Sequence, residues 1–111
     1  MLFCIMGQYT AQAVGANLDD TAADRGAAVE KLMTAAGAKL VAMYNYIAEG
    51  PSTMVIFDAP DQTVAAAITA VAVAGGGMQN VKHLRLVTQQ EVAVVRQKAR
   101  EIRSAYKAPG K

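Results

Sequence analysis

The spacing of apolar and polar residues along the chain predicts four β-strands and three α-helices. Strand-like stretches, rich in apolar, β-branched and aromatic residues, cover residues 2–9, 39–49, 53–58 and 81–87. Helical spacing of apolar residues follows Thr21, Pro60 and Thr88. The predicted order is therefore strand, helix, strand, strand, helix, strand and a final helix.

Turn and capping residues set the expected ends of the first helix. Asp19, Asp20 or Thr21 is expected to cap it, and the weakly patterned segment 8–18 before it is expected to be a connection. Gly37 follows the last apolar position of this helix and is expected to end it.

The other two helices carry start signals of their own. Pro60 suits the first position of the second helix, which runs to about Ala74. This helix is apolar nearly all round, so we expect it to be buried on more than one side. Thr88 and Glu91 have the spacing of a capping box and are expected to start the third helix.

The faces of two predicted strands matter for chemistry. Alternation puts His83 and Arg85 on one face of the fourth strand, about 7 Å apart. In the second strand it puts Tyr44 and Tyr46 on one face together with Leu40.

This order of elements predicts an α+β domain with the ferredoxin-like βαββαβ fold over residues 1–88, followed by a helical extension and tail over residues 89–111. Such a fold has a four-stranded antiparallel sheet with both helices on one face. The opposite face would be bare yet apolar, so it needs a cover. The simplest cover is a second copy, which gives a dimeric α+β barrel with a lumen between two sheets.

Composition bounds the class of protein. The 111 residues are 53% hydrophobic and 18% charged, which fits one folded domain with part of its apolar surface in a subunit interface. A single cysteine, Cys4, excludes an internal disulfide and is expected to be a buried, inert thiol. With one cysteine and one histidine, no zinc site is expected within a subunit. No cofactor is expected either.

The expected location and the charge distribution limit which kinds of partner the protein is expected to have. The start of the chain lacks a positive segment, and the apolar run at 64–74 is too short to span a membrane, so a soluble cytoplasmic protein is expected. The net charge is +2, with most basic residues after Gln79. We expect a solvated helix face and a basic tail, and contact with RNA is the least favoured alternative.

Several short motifs resemble the GYD domain family over about residues 1–92. They are Asp24-Arg25, Gly37-Ala38-Lys39, Asp58-Ala59-Pro60-Asp61, and Asn80-Val81 through Leu84-Arg85 to Thr88. The Gly-Tyr-Asp signature of the family falls on Gly50-Pro51-Ser52, where only the glycine is kept. The resemblance implies the dimeric α+β barrel superfamily and a homo-oligomer.

The candidate site is the sheet face that would line the lumen. If the faces of the second and fourth strands coincide, Tyr44, Tyr46, His83 and Arg85 share one cavity. His83 would then be a catalytic proton shuttle, Arg85 would hold an anion, and the tyrosines would bind the ligand. The alternative is a structural histidine, an Arg85 paired with an acidic residue such as Glu49 or Asp58 across a subunit boundary, and tyrosines that fill an interface.

The third helix carries a narrow apolar seam with charged flanks. We expect this seam to be an oligomer interface, and contact with a larger protein partner is the alternative. Its residues are Val92, Val95, Ala99, Ile102 and Tyr106.

Two functions follow from these features. The favoured one is a non-catalytic oligomer that binds a small ligand or serves as an accessory or structural subunit, because reactive groups are few and the apolar fraction is large. The alternative, implied by the superfamily resemblance, is a cofactor-free isomerase or monooxygenase acting on a small enol, phenol or anion.

Overall fold

The computed structural model describes residues 1–111 and has the predicted ferredoxin-like architecture. Four antiparallel strands lie in the order β2-β3-β1-β4, and one more helix than predicted is present. In chain order the elements are β1 Leu2–Tyr9, α1 Ala11–Asp19, α2 Arg25–Ala35, β2 Lys39–Ile47, β3 Pro51–Asp58, α3 Gln62–Ala74, β4 Met78–Leu86 and α4 Gln89–Ile102, with a short 3-10 helix at Arg103–Ala105.

One face of the sheet, here called the helix side, forms the core under α2 and α3. Phe3 of β1 and Phe57 of β3 are direct cross-strand partners, and their rings stack with centroids 5.7 Å apart. Neither side chain is exposed to solvent. Ile5 and Val55 form the next pair on this face, and Met33 and Ile68 cover it from the two helices.

The opposite face, here called the open side, carries no helix. Cys4 pairs there with Ile56 and Leu84, and Met6 pairs with Met54. Leu84 keeps 42% of its surface exposed. Neighbouring side chains bury Cys4, and this desolvation raises the pKa of its thiol, which therefore stays protonated. An apolar sheet surface is thus left facing outward, as the sequence predicted.

The segment before α2 corrects the sequence interpretation. Residues 11–19 form helix α1, so only residues 8–10 of the predicted connecting segment 8–18 are non-helical. Thr10 caps α1 by accepting a hydrogen bond from the backbone N–H of Ala13 at 3.2 Å. The apolar pattern did not reveal α1 because the helix has no buried residue.

Helix α2 begins later than predicted and ends where predicted. Its cap is Asp24, whose carboxylate accepts from the N–H of Ala27 at 2.9 Å, whereas the expected caps at 19–21 precede it. Gly37 has φ +73° and confirms the predicted end. The N–H groups of Gly37 and Ala38 donate to the carbonyls of Thr34 and Met33, as in a Schellman motif.

Helix α3 differs from its prediction at the start and in its burial. Asp61 is the cap, with its carboxylate 2.9 Å from the N–H of Val64, so Pro60 lies before the helix. Only Ala65 and Ile68 are buried, and Val73 is 46% exposed. The expectation of burial on more than one side is wrong for the isolated chain, because the helices form the outermost layer.

An irregularity in β2 changes the face of Leu40. The register with β3 shifts between Leu40 and Ala42, as in a β-bulge. Leu40 therefore pairs with Phe57 on the helix side, while Ala42 pairs with Ile56 on the open side. The predicted alternation, which placed Leu40 with Tyr44 and Tyr46, holds only beyond this point.

Helix α4 extends away from the rest of the chain. The predicted capping box of Thr88 and Glu91 is confirmed, since each side chain bonds the backbone N–H of the other residue. The Cα radius of gyration is 17.9 Å, whereas a compact domain of this length has about 13 Å. The helix ends at Ile102, so Tyr106 lies beyond it. No helix in the structure is long and apolar enough to cross a membrane.

Two glycines provide a matched test of the packing. A Cβ on Gly7 would lie 3.1 Å from the carbonyl oxygen of Gln79 and 3.1 Å from Val81, whereas one on Gly15 in α1 would meet nothing within 4 Å. We expect Gly7→Ala to lower the free energy of unfolding by about 1–3 kcal/mol. Gly15→Ala should raise it by about 0.5–1 kcal/mol, because alanine favours the helix. Urea unfolding measures both, and equal effects would contradict this packing.

Candidate functional site

A cleft of about 440 Å³ opens on the helix side between the sheet and helices α1, α2 and α3. Hydrophobic residues make up 14 of the 21 that line it. Its floor comes from β1 and β3 through Ile5 and Val55, and its walls include Leu32 of α2 and Ala72 of α3. The cleft is therefore an apolar space above the centre of the sheet.

The chain around Thr10 and the glycines after α3 closes one end of this cleft. The Thr10 hydroxyl donates to the carbonyl of Gly76 at 2.8 Å, and the Thr10 N–H donates to the carbonyl of Gly77 at 3.0 Å. Gly76 has φ +76°, a conformation that favours glycine. These bonds hold α1 beside the end of α3, so both helices supply lining residues.

Polar groups are few in this cleft. Tyr9, Gln12, Asn17, Thr53 and Arg25 are the side chains able to bond a ligand. Arg25 is the single charged residue among the lining residues, and none of the three ion pairs in the chain includes it. A guanidinium, a phenol, an aliphatic hydroxyl and two amides thus border an otherwise apolar space.

A second, more polar cleft of about 490 Å³ adjoins the first. Tyr9, Asn17 and Arg25 line both clefts, so they mark the boundary between them. Asp20 and Asp24 belong only to the second cleft, which continues towards β2. Negative charge therefore lies on one side of Arg25 and apolar surface on the other.

His83 lies on the helix side of β4, in the contact between β4 and α3. It pairs with Ile5 of the core, and its ring lies 5.6 Å from that of Phe3. Its Nδ1 is 2.7 Å from the hydroxyl oxygen of Thr69. Because that hydroxyl donates to the carbonyl of Ala65, we assign the proton to Nδ1 as donor. The Nε2 atom is buried without a partner.

Arg85 shares this face and is engaged within the chain. It pairs with Phe3 across β1, and its guanidinium forms an ion pair with Glu91 at the start of α4. The backbone N–H of Thr88 lowers the pKa of Glu91, and the charge of Arg85 lowers it further. The acidic partner of Arg85 within the chain is Glu91. Arg85 thereby fixes the first turn of α4. Pairing with Glu49 or Asp58 across a subunit boundary stays a prediction.

The two tyrosines lie on the opposite face from His83 and Arg85. Tyr44 pairs with Met54 and Tyr46 with Ser52, both on the open side. The structure therefore brings Tyr44 and Tyr46 together, but does not bring them to His83 and Arg85 within one subunit. The condition for a shared lumen cavity is not met, and neither cleft is lined by His83 or Arg85. Their catalytic roles and the ligand role of the tyrosines stay predictions.

Comparison with known families shows where the sequence belongs. The sequence model of the GYD domain covers residues 3–95. The chain belongs to the GYD domain family. This confirms the resemblance drawn from the short motifs, and the match includes all four strands and the first half of α4. No curated protein matches the chain in sequence.

The family match leaves the end of the seam unexplained. Ala99, Ile102 and Tyr106 lie beyond the matched residues of this GYD domain protein. Val95, Ile102 and Tyr106 are between 58% and 73% exposed, so the chain does not cover this part of the seam, whereas Val92 at its start is half-buried. Its predicted role as an oligomer interface stays a prediction.

Sequence reasoning missed the residues that border the cleft. Tyr9, Asn17 and Arg25 lie close together in the sequence but on three different elements, β1, α1 and α2, and only packing of these elements brings the side chains to one boundary. One signal was present: Thr10 is a favoured capping residue directly before a run of good helix formers. It would have placed α1, but not its contact with the glycines after α3.

We expect the hydrogen bond between Thr69 and His83 to stabilise the fold. Thr69→Val keeps the shape of the side chain but leaves Nδ1 without its partner. We expect the free energy of unfolding to fall by about 1–3 kcal/mol. Urea unfolding measures it. Thr63→Val, at an exposed site on α3, is the control and should change stability by less than about 0.5 kcal/mol. Equal losses would show that the bond is not stabilising.

Proposed function

We propose that this GYD domain protein is a non-catalytic homodimer that binds a small, largely apolar molecule in the helix-side cleft. The observation that carries the proposal is the composition of that cleft: 14 hydrophobic residues among 21, with a few polar side chains in the lining. Binding sites for small molecules typically have this character and occupy roughly 300–1,000 Å³. The volume of about 440 Å³ falls within that range.

The polar groups of the cleft suit orientation of a ligand better than proton transfer. The guanidinium of Arg25 stays protonated in proteins, and the amides of Gln12 and Asn17 do not titrate. Tyr9 is the one lining side chain that can donate and accept through a hydroxyl on an aromatic ring. We therefore assign these groups to recognition. The catalytic alternative would require His83 beside a ligand, and His83 lines neither cleft.

The open side of the sheet supports association into a dimer. Its central strands present an apolar surface to solvent, and a layer of this kind normally packs against another layer. Two copies related by a two-fold axis would bury the same surface on both subunits. The residues concerned are Cys4, Met6, Met54 and Ile56 on the central strands and Leu84 on the edge strand β4.

The seam of α4 supports the same assembly. Val95 is 62% exposed and Ile102 is 58% exposed, although both are apolar. A 14-residue helix that the rest of the chain contacts only near its first turn is marginal in water, so a partner that buries this face would stabilise it. We assign the seam to contact with the second copy. An accessory role towards a larger protein remains the alternative use of this helix.

A charge on the open side should disrupt the dimer. Leu84→Glu places a carboxylate in the proposed interface, and we expect light scattering to give the 11.6 kDa mass of one chain. The unchanged protein should give twice that mass. Val73→Glu is the matched control, because Val73 is 46% exposed on α3 and Leu84 is 42% exposed. A monomeric unchanged protein at micromolar concentration would refute the proposed dimer.

Filling the cleft should abolish binding. We expect the unchanged protein to bind phenylnaphthylamine, a neutral apolar fluorophore, in a saturable manner. Ala72→Phe fills the space above the floor and should weaken this binding at least about tenfold. Ala70→Phe, on the exposed face of the same helix and outside the lining, should not. Absence of saturable binding, or equal binding by both variants, would rule out the cleft as the site.

A further inference from the structure

We infer that the ligand of this cleft is an amphipathic monoanion, whose apolar body fills the cleft and whose carboxylate or similar head binds Arg25. This inference rests on the proposed binding function and adds the chemical class of the ligand. It depends on the position of Arg25 between the two clefts and on the charges around it.

Arg25 has the geometry of an anion-binding group. It is the one charged side chain in the lining of the apolar cleft and is exposed, so an anion at the mouth can reach its guanidinium and accept charge-assisted hydrogen bonds. The chain supplies no such partner, since Arg25 forms none of its ion pairs. The planar fork of its N–H donors matches a carboxylate.

Neighbouring groups can complete the recognition of the head. Tyr9 and Asn17 line both clefts together with Arg25, so they meet a ligand at the same boundary. A phenol O–H and an amide N–H both donate hydrogen bonds to anionic oxygens. The head group would therefore meet three kinds of donor at the mouth, while the body would meet walls that are mostly apolar.

The acidic residues of the second cleft limit the charge of the ligand. Asp20 and Asp24 lie on the outer side of Arg25. Asp24 directly precedes Arg25 in the sequence. Its carboxylate accepts a hydrogen bond from the N–H of Ala27 as a helix cap, and this bond fixes its position. These two carboxylates repel a group with two negative charges, such as a phosphate monoester, more strongly than a group with one. A single negative charge on the apolar side of Arg25, away from both carboxylates, meets less of this repulsion.

The apolar body must be modest in size. The cleft holds a group of on the order of ten to twenty non-hydrogen atoms, if each takes a share of volume comparable to a molecule of liquid water. The floor side chains Ile5 and Val55 and the helix residues Leu32 and Ala72 offer it aliphatic contacts. Aromatic monoacids and medium-chain fatty acids have this combination of body and head.

A pair of fluorescent probes separates the head from the body. Anilinonaphthalene sulfonate has an aromatic body close to that of phenylnaphthylamine and adds one negative charge. We expect the unchanged protein to bind the sulfonate more tightly than the neutral probe. Arg25→Gln should weaken binding of the sulfonate about tenfold or more and leave binding of the neutral probe within about twofold.

A matched variant controls for charge alone. Lys31→Gln removes one positive charge from an exposed position on the same helix, outside both clefts. It should leave the affinity for both probes unchanged. Retained binding of the neutral probe also shows that Arg25→Gln is folded, and the unfolding midpoint in urea checks this independently.

The outcomes distinguish this inference from the proposed function. If the unchanged protein binds neither probe, the binding function itself fails. If it binds both probes and Arg25→Gln behaves like Lys31→Gln, the cleft binds ligands but Arg25 does not select an anion, and the inference is overturned. A loss of affinity for the sulfonate alone, in Arg25→Gln alone, supports it.

Discussion

The contact on which the rest of the structure depends is the stack of Phe3 on Phe57 at the centre of the sheet. Because successive side chains of a strand point to opposite faces, burying these two rings under the helices assigns every other residue of β1 and β3 to one face. Ile5 and Val55 then fall on the helix side, and Cys4 and Met54 fall on the open side. A shift of one residue in this register would exchange the two faces.

That assignment gives the sheet two faces with different properties. The helix side is covered by α2 and α3 but not completely, and α1 with the glycines after α3 shapes the uncovered part into a cleft. The open side is apolar at its centre and free of helices. A cleft suits a small molecule because it surrounds the ligand, whereas an uncovered apolar sheet face suits another sheet. The proposals for binding and for association therefore use opposite faces and do not compete for residues.

The groups that first suggested chemistry have structural roles in the described chain. His83 is held by Thr69 and packs against Phe3, so it joins α3 to β4. Arg85 is held by Glu91 and joins β4 to α4. Both are polar residues on the helix side near its edge, where β4 is the last strand and the helices leave side chains partly covered. The clefts lie towards other strands, which is why these two residues do not line them.

The sequence by itself determined the element order, the sheet class and the local signals at Gly37 and at Thr88 with Glu91, because caps, glycine turns and alternation depend on residues close together in the chain. It also indicated an apolar sheet face without a cover. Only the tertiary structure decided which residues of β2 and β4 lie on the same face of the sheet. The bulge after Leu40 and the pairing register depend on partners that are distant in the sequence. The cleft at Tyr9, Asn17 and Arg25 arose in the same way, from packing of three helices whose sequences do not encode their mutual positions locally.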